Sequence, residues 1–232
     1  MSDHYFTVAT VQERPSADVL RALADSVGKS ERAVASHHIV WKLFGDTAER
    51  RRDFLWREHT PGQFYLLSDR PPADNIGLFE LQAPKVYAPN VEAGDTFDFE
   101  VRVNATIARK KPGEKRGKRA DVVMNALHDS MQHSTHDDDR AAVRSSLIDR
   151  VAGEWLERQG VTHGFTVRGV SVQGYSVVRL DRGRRNERAS LGVLDLKGSL
   201  QVDAAEEFLS MLVGGLGRGR AFGCGLMMIR RG

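Results

Sequence analysis

A single cysteine, Cys224, stands in a chain of 232 residues. An internal disulfide is therefore impossible, and a reducing, cytoplasmic setting is expected. Long apolar runs are missing too. None approaches the roughly 20 residues that a membrane-spanning helix needs, so no membrane association is expected. Residues 1–5 lack the basic-then-apolar layout of a secretion signal. Metal-ligand spacing is equally scarce. His133 and His136 stand beside acidic residues 137–139, but there is no cysteine partner, no His-Glu-x-x-His and no third well-spaced ligand. No paired carboxylates fit a two-metal nuclease. The expectation is no metal and no cofactor. What remains is ample for a core: hydrophobic residues make up 41% and charged residues 28%, enough for one large domain or two small ones.

The net charge is only +3, but it is unevenly placed. Arg109, Lys110, Lys111, Lys115, Arg116, Lys118 and Arg119 form one basic run broken by a single acid, Glu114. Arg179, Arg182, Arg184, Arg185 and Arg188 form a second. Acids collect elsewhere, in 92–100, 137–139 and 206–207. A solvated loop explains either run alone. Two such runs on a chain of modest net charge point to a polyanionic partner.

Periodicity divides the chain into two similar halves. A strand over 5–11, helices over 17–24 and 31–44, and strands over 53–56, 64–67 and 78–87 fill the first. A turn-rich stretch, 88–95, separates them. The second half opens with the alternating strand 97–103 and continues with the basic run and a helix over 121–131. A further helix capped near 137–139 carries Val143, Leu147, Val151 and Trp155 at helical spacing. Strands follow over 165–172, 175–180 and 191–202. Next comes a helix through Val213, opened by a capping-box-like Asp203–Glu206 segment, and then a final strand over 221–229. Each half reads β-α-β-β-(α)-β, so an α+β chain of two tandem ferredoxin-like domains is expected, over residues 1–90 and 95–232.

The closing segment, 214–230, concentrates glycine and arginine. Gly214, Gly215, Gly217, Gly219, Gly223 and Gly225 surround Arg218 and Arg220. Glycines permit positive φ and close backbone approach, and the interleaved arginines suit phosphate. Dinucleotide-binding and P-loop motifs place a strand before the glycines and a helix after them. Here the order is reversed. Both nucleotide readings fail, and a small-molecule enzyme holding a phosphorylated ligand leaves the basic runs unexplained.

The run Gly217-Arg-Gly-Arg-Ala-Phe-Gly-Cys-Gly-Leu226 resembles the C-terminal glycine-rich loop of the CasE family, the repeat-processing ribonuclease subunit of the type I-E CRISPR complex Cascade. Looser similarity runs through His37-His-Ile-Val-Trp-Lys-Leu-Phe44, Arg52-Asp-Phe-Leu-Trp-Arg57, Phe99-Glu-Val-Arg-Val-Asn-Ala-Thr106, Lys118-Arg-Ala-Asp-Val-Val123, Trp155-Leu156 and Gly164-Phe165. The resemblance implies two ferredoxin-like domains with a basic cleft between them. It also implies metal-independent endonucleolytic cutting of CRISPR repeat RNA at the base of a stem-loop. The expected products carry 2′,3′-cyclic phosphate and 5′-hydroxyl ends, with the guide RNA kept within Cascade beside its other subunits. A non-catalytic RNA-binding scaffold of the same fold is the alternative.

Within that resemblance, His37 matches the family's catalytic histidine. Periodicity alone puts it on a stripe with Ala33, Trp41 and Phe44, as a core histidine would be. The resemblance instead implies a general base, a role suited to imidazole chemistry near neutrality. A helix starting near Ser36 would put His37 in the first turn, where the helix dipole favours phosphate; a start at Ser30 would not. Some family members carry a tyrosine three residues earlier, where this chain has Val34. That leaves His38 or a basic-loop lysine as helpers. Arg109, Lys110, Lys111, Lys115, Arg116, Lys118, Arg119, Arg218 and Arg220 are the expected RNA contacts, together with the glycines of the closing loop.

Overall fold

A computed structural model describes residues 3–13, 32–45, 52–109, 117–131, 140–180 and 189–232. The expected helix over 17–24, the acidic cap at 137–139, His133, His136 and most of the second basic run lie outside these residues. Two antiparallel sheets dominate. The first combines β1 (Tyr5–Val11), β2 (Phe54–Thr60), β3 (Gln63–Ser68) and β4 (Phe79–Leu81) in the order β2-β3-β1-β4, with β5 (Lys85–Val86) also pairing β1. Helix α1 (Arg32–Trp41) joins β1 to β2.

The second sheet contains β6 (Thr96–Val103), β9 (Phe165–Leu180), β10 (Ala189–Val202) and β11 (Met227–Arg231), in the order β11-β6-β10-β9. Between β6 and β9 come a separate hairpin, β7 (Thr106–Arg109) and β8 (Lys118–Asp121), then α2 (Val122–Met131) and α3 (Arg140–His163); α4 (Ala205–Gly214) precedes β11. Numbered within its own half, each four-strand path reads 4-1-3-2. That is the ferredoxin-like arrangement, built twice.

The first half departs from symmetry between β3 and β4. No helix joins them; a loop closes on Asp74 instead. One carboxylate oxygen accepts the N–H groups of Ile76 and Gly77, and the other accepts that of Phe79 at 2.6 Å. An aspartate that satisfies three successive turn donors removes the need for a helical segment there.

Each sheet has its own core. Phe44 and Phe54 stack with centroids 4.1 Å apart within the first, which also includes Val40, Trp56, Phe64, Leu66 and Phe79. In the second, Phe208 of α4 packs between Phe97 and Phe165, close to the buried Trp155 and Leu156 of α3. A third, smaller cluster joins the halves: Leu55 and Leu67 from the first sheet meet Leu226, just before β11, flanked by Tyr65, Tyr87, Val213 and Met228. Polar contacts reinforce this seam. Arg57 of β2 lies 3.6 Å from Glu100 of β6, which also pairs with Lys197 at 3.1 Å.

Three local readings of the sequence need correction. The Asp203–Glu206 segment does not form a capping box. Ala204, which has no polar side chain, occupies the cap position of α4, and Asp203 before it accepts the Thr166 hydroxyl at 2.7 Å. The two strands expected over 165–172 and 175–180 are one strand, β9, which absorbs the break as a register shift against β10 at Asp195/Leu196. The last strand begins at Met227 rather than 221. Gly223 and Gly225 adopt φ of 77° and 98°, left-handed conformations that no strand residue holds.

Phe208 is completely buried, so Phe208→Ala should cost about 3–5 kcal/mol, as for other large core truncations. Chemical denaturation should show the transition midpoint falling with an unchanged slope.

Candidate active site

The glycine-rich loop is a packing device as well as a basic one. It carries a single 3-10 turn, Arg220–Phe222, between two left-handed glycines, Gly219 and Gly223. Gly217 and Gly225 also take positive φ, and Gly214 ends α4 at the surface. The turn lies against β2 because side chains are missing where they would collide. A Cβ on Gly215 would sit 2.8 Å from the Leu55 side chain, and one on Gly223 would sit 3.0 Å from the Trp56 ring. Backbone bonds then fix the loop. Leu216 N–H donates to Gly225 at 2.9 Å, and Gly225 N–H donates to Arg102 of β6 at 2.7 Å. Arg102 is itself held by a two-point contact with Asp195 at 2.8 and 2.9 Å. Asn104 pairs with Arg218 through the backbone, and its buried amide donates to Gly192 at 2.7 Å. Arg218 points to solvent, whereas Arg220 is half-buried and donates to the Gly215 carbonyl at 2.9 Å.

On the other side of this turn stands α1. Its described residues start at Arg32, so His37 lies in the second turn or later, and the first-turn dipole argument does not apply to it. The expected apolar stripe is also rotated. The buried positions are Ser36, Val40, Leu43 and Phe44, while His37 and Trp41 are half-buried at the margin. Helix α1 ends by tightening into bonds of the i→i−3 kind, Leu43 to Val40 and Phe44 to Trp41, and these swing Leu43 and Phe44 into the core. His37 is therefore a residue of the helix–loop seam and not of the core.

Its imidazole faces aromatic neighbours. The Phe222 ring lies 5.8 Å away, Trp41 5.9 Å and His38 5.5 Å, all tilted. The carbonyl of Ala221 accepts a hydrogen bond from the ring, while Nδ1 is buried and has no partner among the described residues. Burial pushes the His37 pKa below its ordinary value, and the charges of His38 and Arg52 lower it further; the Ala221 bond opposes this only in part. His37 is thus held neutral at pH 7, with an unprotonated nitrogen able to take a proton.

Arg52, which just precedes β2, brings a positive charge into the same region. Burial lowers its pKa, and so does the adjacent Arg220. Both guanidinium-bearing residues line a cleft of ≈ 280 Å³ with His4, Leu67, Asp69 and Val213. The acids at its edge are engaged: Asp69 with His4 at 3.0 Å, and Asp53 with Arg70 at 2.9 Å. Sequence reasoning did not single out Arg52. Its signals were the run Arg50-Arg-Arg52 ahead of a strand and its place at the head of the family-like segment Arg52–Arg57.

The basic loop is a different surface. Arg109 and Lys118 close the β7–β8 hairpin as cross-strand partners, and Arg119 is exposed. Lys110, Lys111, Lys115 and Arg116 lie outside the described residues. Arg109 reaches across to α2, donating to both oxygens of Asp129 at 2.8 and 2.7 Å, and this holds the Asp129 carboxyl below its usual range. Among the described residues no group of three or more His, Cys, Asp and Glu side chains is placed to hold a metal ion. Nor is any described helix long and apolar enough to cross a membrane.

Two measurements check this geometry. The His37 ring, followed by NMR, should titrate with a midpoint below 6.5, and His38→Ala should move that midpoint upward by removing a nearby charge. Gly223→Ala should destabilise the fold by about 1–3 kcal/mol, the usual cost of a non-glycine residue forced into a strained backbone position, with the Trp56 environment disturbed in fluorescence.

A family model described as CRISPR associated protein matches residues 10–231. No curated protein sequence matches significantly. Among solved structures, the chain is similar to CRISPR endoribonuclease Cse3 bound to a 19-nucleotide RNA, at 19% identity over 98% of this chain and 99% of that one, with a TM-score of 0.66. It is similar to Cse3 of Thermus thermophilus bound to an RNA representing a pre-cleavage complex, at 21% identity over 98% and 99%, TM-score 0.62. The CRISPR-associated protein Cas6e of Escherichia coli K-12 follows at 16% identity over 98% and 99%, TM-score 0.58. These likenesses bear out the tandem ferredoxin-like fold along the whole chain. With the family model spanning nearly every residue, the chain belongs to the CRISPR associated protein family, as its resemblance to CasE implied.

Proposed function

We propose that this protein is a metal-independent endoribonuclease that cuts CRISPR precursor RNA at the base of the repeat stem-loop and stays bound to the guide RNA within Cascade. It works as two ferredoxin-like domains, 1–90 and 95–232. The observation that carries this reading is His37, held neutral at the seam between α1 and the Arg220–Phe222 turn, beside two half-buried arginines. The solved relatives whose names describe RNA-bound endoribonucleases, and a CRISPR RNA-guided surveillance complex similar at a TM-score of 0.53, support the substrate and the assembly.

In the reaction, His37 takes the proton of a ribose 2′-hydroxyl. The 2′-oxygen bonds to the adjacent phosphorus and the bond from phosphorus to the 5′-oxygen breaks. That oxygen takes a proton from solvent to end as a hydroxyl, and His37 returns its own proton to solvent. The products are a 2′,3′-cyclic phosphate and a 5′-hydroxyl end. The Ala221 carbonyl orients the ring, leaving Nδ1 as the acceptor. Arg109, Lys110, Lys111, Lys115, Arg116, Lys118 and Arg119 follow the phosphates of the stem, and Arg218 meets them from the exposed side of the glycine loop. Recognition of this kind reads A-form shape and backbone charge, so affinity should fall steeply as salt rises.

His37→Ala should slow single-turnover cleavage of repeat RNA, with chelator present, by roughly 10²- to 10⁴-fold, the share of one general acid–base group. RNA affinity should change little. The wild-type rate should decline as pH falls below 6.5, because the depressed His37 pKa keeps the base unprotonated above that range. A variant that cuts at the wild-type rate would remove His37 from the chemistry. Tight RNA binding with no cleavage by the wild-type protein would leave a scaffold in place of an enzyme.

A further inference from the structure

We propose that Arg52 is a catalytic residue that, with Arg220, grips the non-bridging oxygens of the phosphate at which RNA is cut. This rests on the endoribonuclease reading and adds a site for the scissile phosphate. Two guanidinium groups share the ≈ 280 Å³ cleft, and neither position is accidental. Arg52 sits immediately before β2, whose Leu55 and Trp56 support the glycine loop. Arg220 opens the turn that rests on them and is tied back to the Gly215 carbonyl. The loop is thus seated on the strand that Arg52 leads into, which keeps the two charges together.

Like charges placed together and partly desolvated repel, so the pair costs stability unless an anion joins it. Among the described residues no carboxylate lies within ion-pair distance of Arg52; the nearby Asp53 and Asp69 hold Arg70 and His4. An anion with two equivalent oxygens completes the arrangement, since planar guanidinium groups match phosphate oxygens through paired N–H donors. The location fits the reaction. Arg52 is close enough to act on the His37 ring through its charge, and His37 in turn packs against Phe222, two residues from Arg220. A phosphate held by both arginines therefore lies beside the base. There the pair neutralises charge that grows on the oxygens as the 2′-oxygen attacks, and preorganised donors aimed at developing charge contribute most to such steps.

The test uses repeat RNA carrying a single phosphorothioate at the cleavage position, each diastereomer separately, and a 2′-deoxy version that binds without reacting. Arg52→Ala should slow cleavage by about 10²- to 10³-fold, as loss of one charge-stabilising donor does, while affinity for the 2′-deoxy RNA falls far less. In the wild-type protein sulfur at one non-bridging position should slow cleavage more than at the other. Arg52→Ala should erase that difference, and Arg52→Lys should keep part of it. A purely structural role would slow both diastereomers equally and leave the difference intact, and that result overturns the proposal. Cleavage by Arg52→Ala at the wild-type rate, in a preparation where His37→Ala is inactive, overturns it as well while sparing the endoribonuclease reading. A wild-type protein that never cuts overturns that reading instead. Should the alanine variant fail to fold, the diastereomer comparison with Arg52→Lys decides: an undiminished wild-type difference refutes the grip.

Discussion

The seating of the Arg220–Phe222 turn on β2 is the contact on which the rest of the structure depends. It requires glycine at two points, Gly215 against Leu55 and Gly223 against Trp56, and it makes β2 a strand with two tasks. Phe54 and Trp56 face the first core, while Leu55 faces the other half of the molecule. Alternation along one strand thus joins a core to an interdomain seam. Burial of each leucine in that seam contributes about 1.5–3 kcal/mol. The same contact brings a loop from the C-terminal end of the chain to a helix near its beginning.

That juxtaposition concentrates positive charge where burial makes it expensive. His37 and Arg52 both have pKa values driven down first by desolvation and then by like charge. Perturbed groups gathered in one cleft mark functional sites more often than structural ones. Pairs elsewhere are conventional by contrast. Arg102 with Asp195 and Arg230 with Asp98 match cation to anion and hold strands together. At the cleft Arg52 and Arg220 stand near Asp53 and Asp69, which pair with Arg70 and His4 instead.

Much of this was legible in the sequence, for identifiable reasons. The 97–103 strand declares itself by strict alternation, and its buried residues Phe97, Phe99, Val101 and Val103 all face one side. The helix expected over 121–131 is α2, although Asp121 proves to be its cap rather than its first residue, accepting the N–H groups of Val123 and Met124. The order helix, glycines and strand read from the sequence is the order α4, glycine loop and β11 of the structure. Illegible features depended on tertiary contact. Ala204 holds the cap position of α4, and Asp203 before it accepts a hydroxyl from β9. The stripe on α1 is rotated: Ser36, Val40 and Leu43 face inward with the expected Phe44, while His37 and Trp41 lie at the margin. Arg52 could not be found because its importance comes from Arg220, far away in sequence and adjacent only after folding. The glycines read as phosphate-friendly; Gly215 and Gly223 proved to lie against Leu55 and Trp56 of β2, Gly217 against Trp155 of α3, and Gly219 against Asn104.

The central claim is that a neutral histidine and two arginines, assembled at this seam, cut RNA through its own 2′-hydroxyl. Mass spectrometry of the fragments left when the wild-type protein acts on repeat RNA in excess chelator tests this most directly. The account predicts one cut at the stem base, a 2′,3′-cyclic phosphate on the upstream fragment and a 5′-hydroxyl on the downstream one. A 3′-hydroxyl with a 5′-phosphate, or RNA left intact, would contradict it.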